Sequence, residues 1–183
     1  MRKNIDRTNN SVVLFLIVLA VALVSLPFFG PVGWSANYRT STVQPTQIVP
    51  VDIKPGFCPN QLEVAEGGVV SIAILGTDRL DVKQIALDSV RVEEMPPEKS
   101  SFKDVATPHR LYHWKASRSK VRADYCTDEG PDGKLDLVLE FQMKDILKAK
   151  GALRDGDVIV LRLIARDRSG TSLVGQDVVV ISE

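Results

Sequence analysis

The chain has no surplus of charge of either sign: 23 Lys and Arg stand against 23 Asp and Glu. No net field therefore selects nucleic acid or an anionic membrane as partner. Only two histidines occur, His109 and His113. Their i, i+4 spacing would face a zinc ion from a helix. But Pro108 stands just before them, no glutamate follows His109, and no third ligand is evident, so they read as surface histidines. There is no G-x-S-x-G. The S-x-x-K pattern occurs twice in one polar stretch, at Ser100–Lys103 and Ser117–Lys120, and opens a helix pattern in neither place. Internal repeats are absent. No nucleophile with a base can be assigned, and an unrecognised hydrolase stands only as an alternative reading.

What the chain does have is one long apolar run. Val12 to Val24 carries no charge, follows Arg2, Lys3 and Arg7, and reaches breakers at Pro27, Gly30 and Pro31. A positive segment followed by an apolar one directs a chain into export. Residues 1–36 are thus expected to be a signal peptide or an N-terminal membrane anchor helix. Gly33 and Ser35 supply small residues for a cut after Ser35. Alternatively Val12 to Phe29, eighteen residues, is close to the ~20 that span a bilayer. Either reading places the rest of the protein outside the cytoplasm, released or anchored.

The remainder has the length of one domain. Its two cysteines, Cys58 and Cys126, are expected to be bridged in an oxidising compartment. Such a bridge closes a loop of nearly seventy residues, worth about 4 kcal/mol on chain-entropy reasoning.

Residues 37–48 are polar and without period, and read as a linker. From residue 49 to 183 the pattern is short strands with turn signals between them. Val49–Lys54, Val69–Leu75, Ser89–Glu93, Leu135–Phe141, Val158–Ala165 and Val178–Ser182 alternate or are β-branched, and Pro-Gly, Gly-Thr, Pro-Pro, Asp-Gly and Ser-Gly punctuate them. This predicts an all-β sandwich of immunoglobulin-like or jelly-roll type. Met143, Ile146 and Leu147 have helical spacing up to Lys150, and Gly151 suits the residue after a helix end, so one short helix is expected.

Residues 96–123 show no strand or helix pattern. Lysines and arginines there interleave with Phe102, Tyr112 and Trp114. Lys103, Arg110, Tyr112, Trp114 and Lys115 are the candidate binding residues, suited to an acidic envelope polymer. The other reading folds the aromatics back as a lid.

Residues 124–136, DYCTDEGPDGKLD, gather Asp124, Asp128, Glu129, Asp132 and Asp136. Calcium needs six to eight oxygens, and glycines let carboxylates converge. From Asp128 the spacing approaches a calcium loop, D-x-[DN]-x-[DN]-G-x-x-[D], although Gly130 replaces one ligand and Leu139 stands where a glutamate belongs. A weak calcium site is one expectation. A solvated turn at Pro131-Asp132-Gly133 is the other.

Several stretches fit a larger pattern: Val51-Asp52-Ile53-Lys54-Pro55-Gly56 with Pro59-Asn60, Val70 to Thr77, Asp81-Val82 with Ile85, Ser89-Val90-Arg91, Asp128 to Phe141, and Val174-Gly175-Gln176-Asp177. In these the chain resembles an exported domain, with no activity assigned to it, found in many bacterial and archaeal proteins. Members often carry asparagine at the position of Gly130. The resemblance implies an extracytoplasmic β-sandwich, sometimes a module beside other domains. The expected function is a non-catalytic module at the cell envelope, calcium-stabilised if the acidic loop closes on a metal. Its partner would be an envelope polymer or another exported protein.

Overall fold

Pro-Gly, Gly-Thr and Ser-Gly pairs cut the chain into strands too short to be stable alone, so they must pack in layers. A computed structural model describes residues 45–63, 68–110, 112 and 121–182, all within the unit Ser41–Glu183. The expected signal or anchor segment 1–36 lies outside the described residues. Among these, no helix is long and apolar enough to cross a membrane.

Nine strands are described: β1 (Thr46–Ile48), β2 (Val51–Ile53), β3 (Gln61–Glu63), β4 (Val69–Ile74), β5 (Arg91–Val92), β6 (Lys99–Lys103), β7 (Asp136–Gln142), β8 (Val158–Arg166) and β9 (Ser172–Ser182). One helix, α1 (Met143–Lys150), follows β7 directly. The strands form two sheets. The first is β1-β9-β8-β5, with β3 also on β9, and the second is β2-β4-β7-β6. The molecule is therefore the expected all-β sandwich with one short helix.

The core comes from alternation. Leu137, Leu139 and Phe141 of β7 and Val70, Ile72 and Ile74 of β4 point inward from the second sheet. Leu161 and Leu163 of β8 and Leu173, Val179 and Ile181 of β9 meet them from the first. Each buried Val, Leu, Ile or Phe side chain contributes about 1.5–3 kcal/mol. Ile146 and Leu147 of α1 close one end of this core. Asp145 in the first turn of α1 and Lys148 and Lys150 in the last suit the helix dipole. Gly151 follows with φ 85° and ψ −151°, which is not the left-handed helical cap expected but a region open essentially to glycine alone.

The chain switches sheets at one edge. β1 and β3 both pair parallel with β9, at Ser172–Val174 and at Val180–Ser182. Between them β2 leaves for the second sheet. Gly175 makes room for that crossing, because a Cβ there would lie 2.3 Å from Val51 Cγ2 and 3.0 Å from the Val49 carbonyl oxygen.

Several sequence expectations are corrected. Residues 46–48, read as linker, are β1, because β9 supplies their partner. The stretch 96–123 is not patternless: Lys99–Lys103 is the edge strand β6, paired to β7. Of Ser89–Glu93, Ser89 ends a 3-10 turn (Leu87–Ser89) and only Arg91–Val92 form a strand, β5. The last strand begins at Ser172 rather than Val178, and β3 was not expected. Leu135 does not continue the inward row of β7 and is 42% exposed.

Candidate functional site

The acidic loop is organised by backbone donors. Asp136 is fully buried, and its carboxylate accepts N–H bonds from Gly76 (2.9 Å), Val105 (2.8 Å) and Ala106 (3.3 Å). It thereby ties the end of β4 to the segment after β6. Burial holds its pKa above the usual carboxylate value, even against those three donors, and the charge of Asp104 adds to the rise. Gly76 is tightly placed here, since a Cβ on it would meet the Leu135 carbonyl oxygen at 2.3 Å.

The other four expected metal ligands have separate surroundings. Asp124 is bound by the Arg122 guanidinium, through Nε at 2.8 Å and also through Nη2, and that hydrogen bond lowers its pKa. Asp132 Oδ1 accepts the Lys134 N–H at 3.0 Å, as an aspartate does in a turn. Asp128 and Glu129 are exposed. The structure does not bring the five carboxylates together. Among the described residues, no three His, Cys, Asp or Glu side chains form a metal-holding group. The residue that organises the loop is Asp104, which accepts N–H bonds from Asp132 (3.1 Å) and Gly133 (2.7 Å). Thr107 continues the seam, with its N–H on the Glu129 carbonyl (3.2 Å) and its hydroxyl on the Gly130 carbonyl (2.8 Å).

A second buried carboxylate pins the sheet crossing. Asp177 of β9 has no accessible surface. It accepts from the Ile53 N–H (2.9 Å), Asn60 Nδ2 (2.9 Å) and the Val178 N–H (2.8 Å). Asn60 also donates to the Val178 carbonyl at 2.9 Å.

Between these two anchored regions lies an open cleft of about 950 Å3. Val69 and Ser71 of β4 border it. One wall is the turn Lys54-Pro55-Gly56-Phe57, closed by the Phe57 N–H on the Lys54 carbonyl at 3.1 Å. Pro at the second position and Gly56 at φ 91° at the third are what a type II turn demands. The turn holds Phe57 59% exposed, with Lys54 Nζ 5.2 Å from its ring centroid. A disulfide between Cys58 and Cys126, Cα–Cα 5.4 Å, ties this wall to the acidic loop, as expected from the cysteine pair. The opposite wall is Lys103, Asp104, Val105 and Pro131, and Glu63 and Met143 also line the cleft. Neither Lys103 nor Glu63 joins an ion pair among the described residues.

Of the expected binding residues, Lys103 therefore lines the cleft. Tyr112 borders a different hollow of about 670 Å3, with Ile48 and Thr77–Leu80. Arg110 is exposed. Trp114 and Lys115 lie outside the described residues, as does His113, whereas His109 is half-buried. Sequence reasoning missed Lys54 and Phe57. The available signal was an aromatic placed between a Pro-Gly turn and a bridged cysteine, where burial is not the turn's purpose.

No family model, curated protein or solved structure matches this chain.

Proposed function

We propose that the protein is an exported, non-catalytic binding module of the cell envelope, and that it holds its partner in the cleft beside Phe57. One observation carries this reading: a tight turn keeps an aromatic ring exposed over an open cleft. Leaving Phe57 59% exposed forgoes about 1–2 kcal/mol of burial, which a ligand stacking on the ring would recover. Export rests on the charged and apolar N-terminus. The resemblance to an exported domain supports a modular role. In that pattern, the two positions between Gly56 and Pro59 are open to variation, and Phe57 is one of them.

The chemistry of the cleft suits an extended ligand with flat or apolar faces and a carboxylate. Phe57, Val69, Val105 and Pro131 offer apolar surface, and Lys103 offers an unengaged cation. An acidic envelope polysaccharide meets both requirements, because sugar rings stack on aromatics and uronic carboxylates pair with lysine. The reading requires no calcium, since Asp124 and Asp136 are engaged by Arg122 and by backbone amides.

NMR titration of the protein with oligogalacturonate, as a model acidic oligosaccharide, tests this. Shifts should concentrate on Phe57, Val69 and Lys103, and Phe57→Ala should abolish them. Shifts confined to residues around Tyr112, or none in the cleft, would sink the proposal.

A further inference from the structure

The outer face of the first sheet has an unusual composition. Inward positions of β8 and β9 are known from the core, so the alternate positions face outward. They read Val158, Val160, Arg162, Ile164 and Arg166 on β8, and Ser172, Val174, Gln176, Val178 and Val180 on β9. Ladder pairing places Val158 beside Val180, Val160 beside Val178 and Ile164 beside Val174. Ile48 of β1 extends the last row, and Arg91 of β5 ends it. Val158 and Ile48 are exposed, Val178 is buried and the others are half-buried. Strand spacing gives these side chains a footprint on the order of 300 Å2, within which Val178 contributes no exposed surface and the Arg162–Gln176 pair separates the valine rows from the Ile164–Val174–Ile48 row.

Its charges are of one sign. No carboxylate occupies an outward position on β1, β5, β8 or β9, and Glu63 of β3 stands at a corner. Arg162 and Arg166 are exposed, and neither joins an ion pair among the described residues. The protein as a whole is neutral, so this positive field is local.

We infer that this face rests on an anionic lipid bilayer. The inference builds on the anchored form of the export reading and concerns a different surface from the cleft. Three points select lipid over other occupants. β-Branched side chains flanked by arginines suit the headgroup boundary, where arginine forks pair with phosphate. A second copy would bring Arg162 and Arg166 against an identical positive face, and like charges oppose that. Finally, residues 30–44 separate the apolar run from the sandwich. Fifteen residues reach at most roughly 50 Å, and the chain then enters at β1, whose Ile48 belongs to this face. An anchor in residues 12–29 would keep the face at high local concentration near the bilayer.

The test uses the full chain in vesicles, with a nitroxide on Val158→Cys or, as a cleft control, on Phe57→Cys. In mixed phosphatidylcholine–phosphatidylglycerol vesicles, the label at 158 should become accessible to oxygen and protected from a nickel chelate, while the label at 57 stays in water. Arg162→Glu with Arg166→Glu should return the 158 label to water while the chain stays vesicle-bound. These arginines are surface residues, so the fold should survive, and an unchanged melting temperature would verify this. A 158 label as water-accessible as the 57 label overturns the inference. Dipolar broadening between 158 labels also overturns it and assigns the face to a second copy. Flotation with pure phosphatidylcholine vesicles reads the anchor separately. A chain left in solution there refutes anchoring, and the face is then upheld or refuted by whether its 158 label enters lipid in the anionic vesicles.

Discussion

Asp136 and Asp177 sit inside the molecule and receive N–H bonds from backbone beyond the ends of neighbouring strands and across the two sheets, whereas the cleft beside them presents Phe57, Val69 and Lys103 to solvent. At the buried junctions, the backbone donors would lose this acceptor if the carboxylate were removed, and Asn60 Nδ2 would keep only the Val178 carbonyl. At the cleft, Phe57 and Val69 are more than half exposed, and Lys103 is unengaged. The contrast separates two properties that a small domain often mixes. Stability resides in the junctions, and recognition resides in the cleft, so substitutions in the two places should be read by different measurements.

The sharpest way to break that separation is Asp177→Ala. It strips the acceptor from the Ile53 N–H and the Val178 N–H and one of two acceptors from Asn60 Nδ2 at once. Buried donors without partners cost about 1–3 kcal/mol each, so a loss of about 4–5 kcal/mol is expected in denaturant unfolding. If the variant is too unstable to purify, Asp177→Asn keeps one acceptor oxygen and should lose less. A loss under about 1 kcal/mol for Asp177→Ala would mean that the crossing is held by packing around Gly175 instead.

Next in size is the disulfide, which belongs to both regions because it joins the Phe57 turn to the acidic loop. Cys58 and Cys126 are separated by 68 residues. Replacing both by serine should cost about 4 kcal/mol through the entropy of the unfolded chain. The same variant should weaken ligand binding by loosening the Phe57 wall. Unchanged binding in a folded double variant would show that the Pro-Gly turn positions the ring unaided.

Phe57→Ala should act on one side only. The ring is 59% exposed, so unfolding free energy should stay within about 0.5 kcal/mol of wild type. Binding to the cleft should nonetheless fall below detection. Destabilisation by more than about 2 kcal/mol would instead make Phe57 part of the fold's packing.

How much of this was legible in the sequence depends on where each segment's partners lie. β7 was legible because Leu137, Leu139 and Phe141 alternate inward on a strand with one wet face. β6 was not, because all five residues of Lys-Ser-Ser-Phe-Lys are exposed and only pairing with β7 makes them a strand. β1 and β3 likewise depend on β9, and β3 buries a single residue, Leu62. The hydrogen bonding of the acidic loop was hidden for a related reason. Composition shows carboxylates close in sequence, but not the amides of Gly76, Val105 and Ala106 that take up Asp136. Nor does it show Asp104 arriving from the far side of β6 to hold the Asp132–Gly133 turn. The cysteine pair was legible, because two cysteines admit only one internal bridge.

The smallest effect, and the finest test of buried against exposed carboxylates, is the pH dependence of stability. Asp136 has its folded pKa raised above the ordinary 3.8, chiefly by burial. The unfolded chain therefore releases this proton at lower pH than the folded protein does. The stability this group contributes is full below 3.8 and declines as pH rises through the raised folded value. Asp124 runs the other way. Its pKa is lowered, first by the Arg122 hydrogen bond, so its contribution is present above 3.8 and is lost as pH falls through the lowered value. Solvent screens the exposed Arg122–Asp124 pair, which keeps its effect small. Urea unfolding of wild type, Asp136→Asn and Asp124→Asn across the acid range reads both signs. The margin of wild type over Asp136→Asn should shrink as pH climbs from below 3.8, and the margin over Asp124→Asn should grow. If both margins grow together, the three amide donors outweigh burial at Asp136, and its carboxylate behaves as an ordinary stabilising anion.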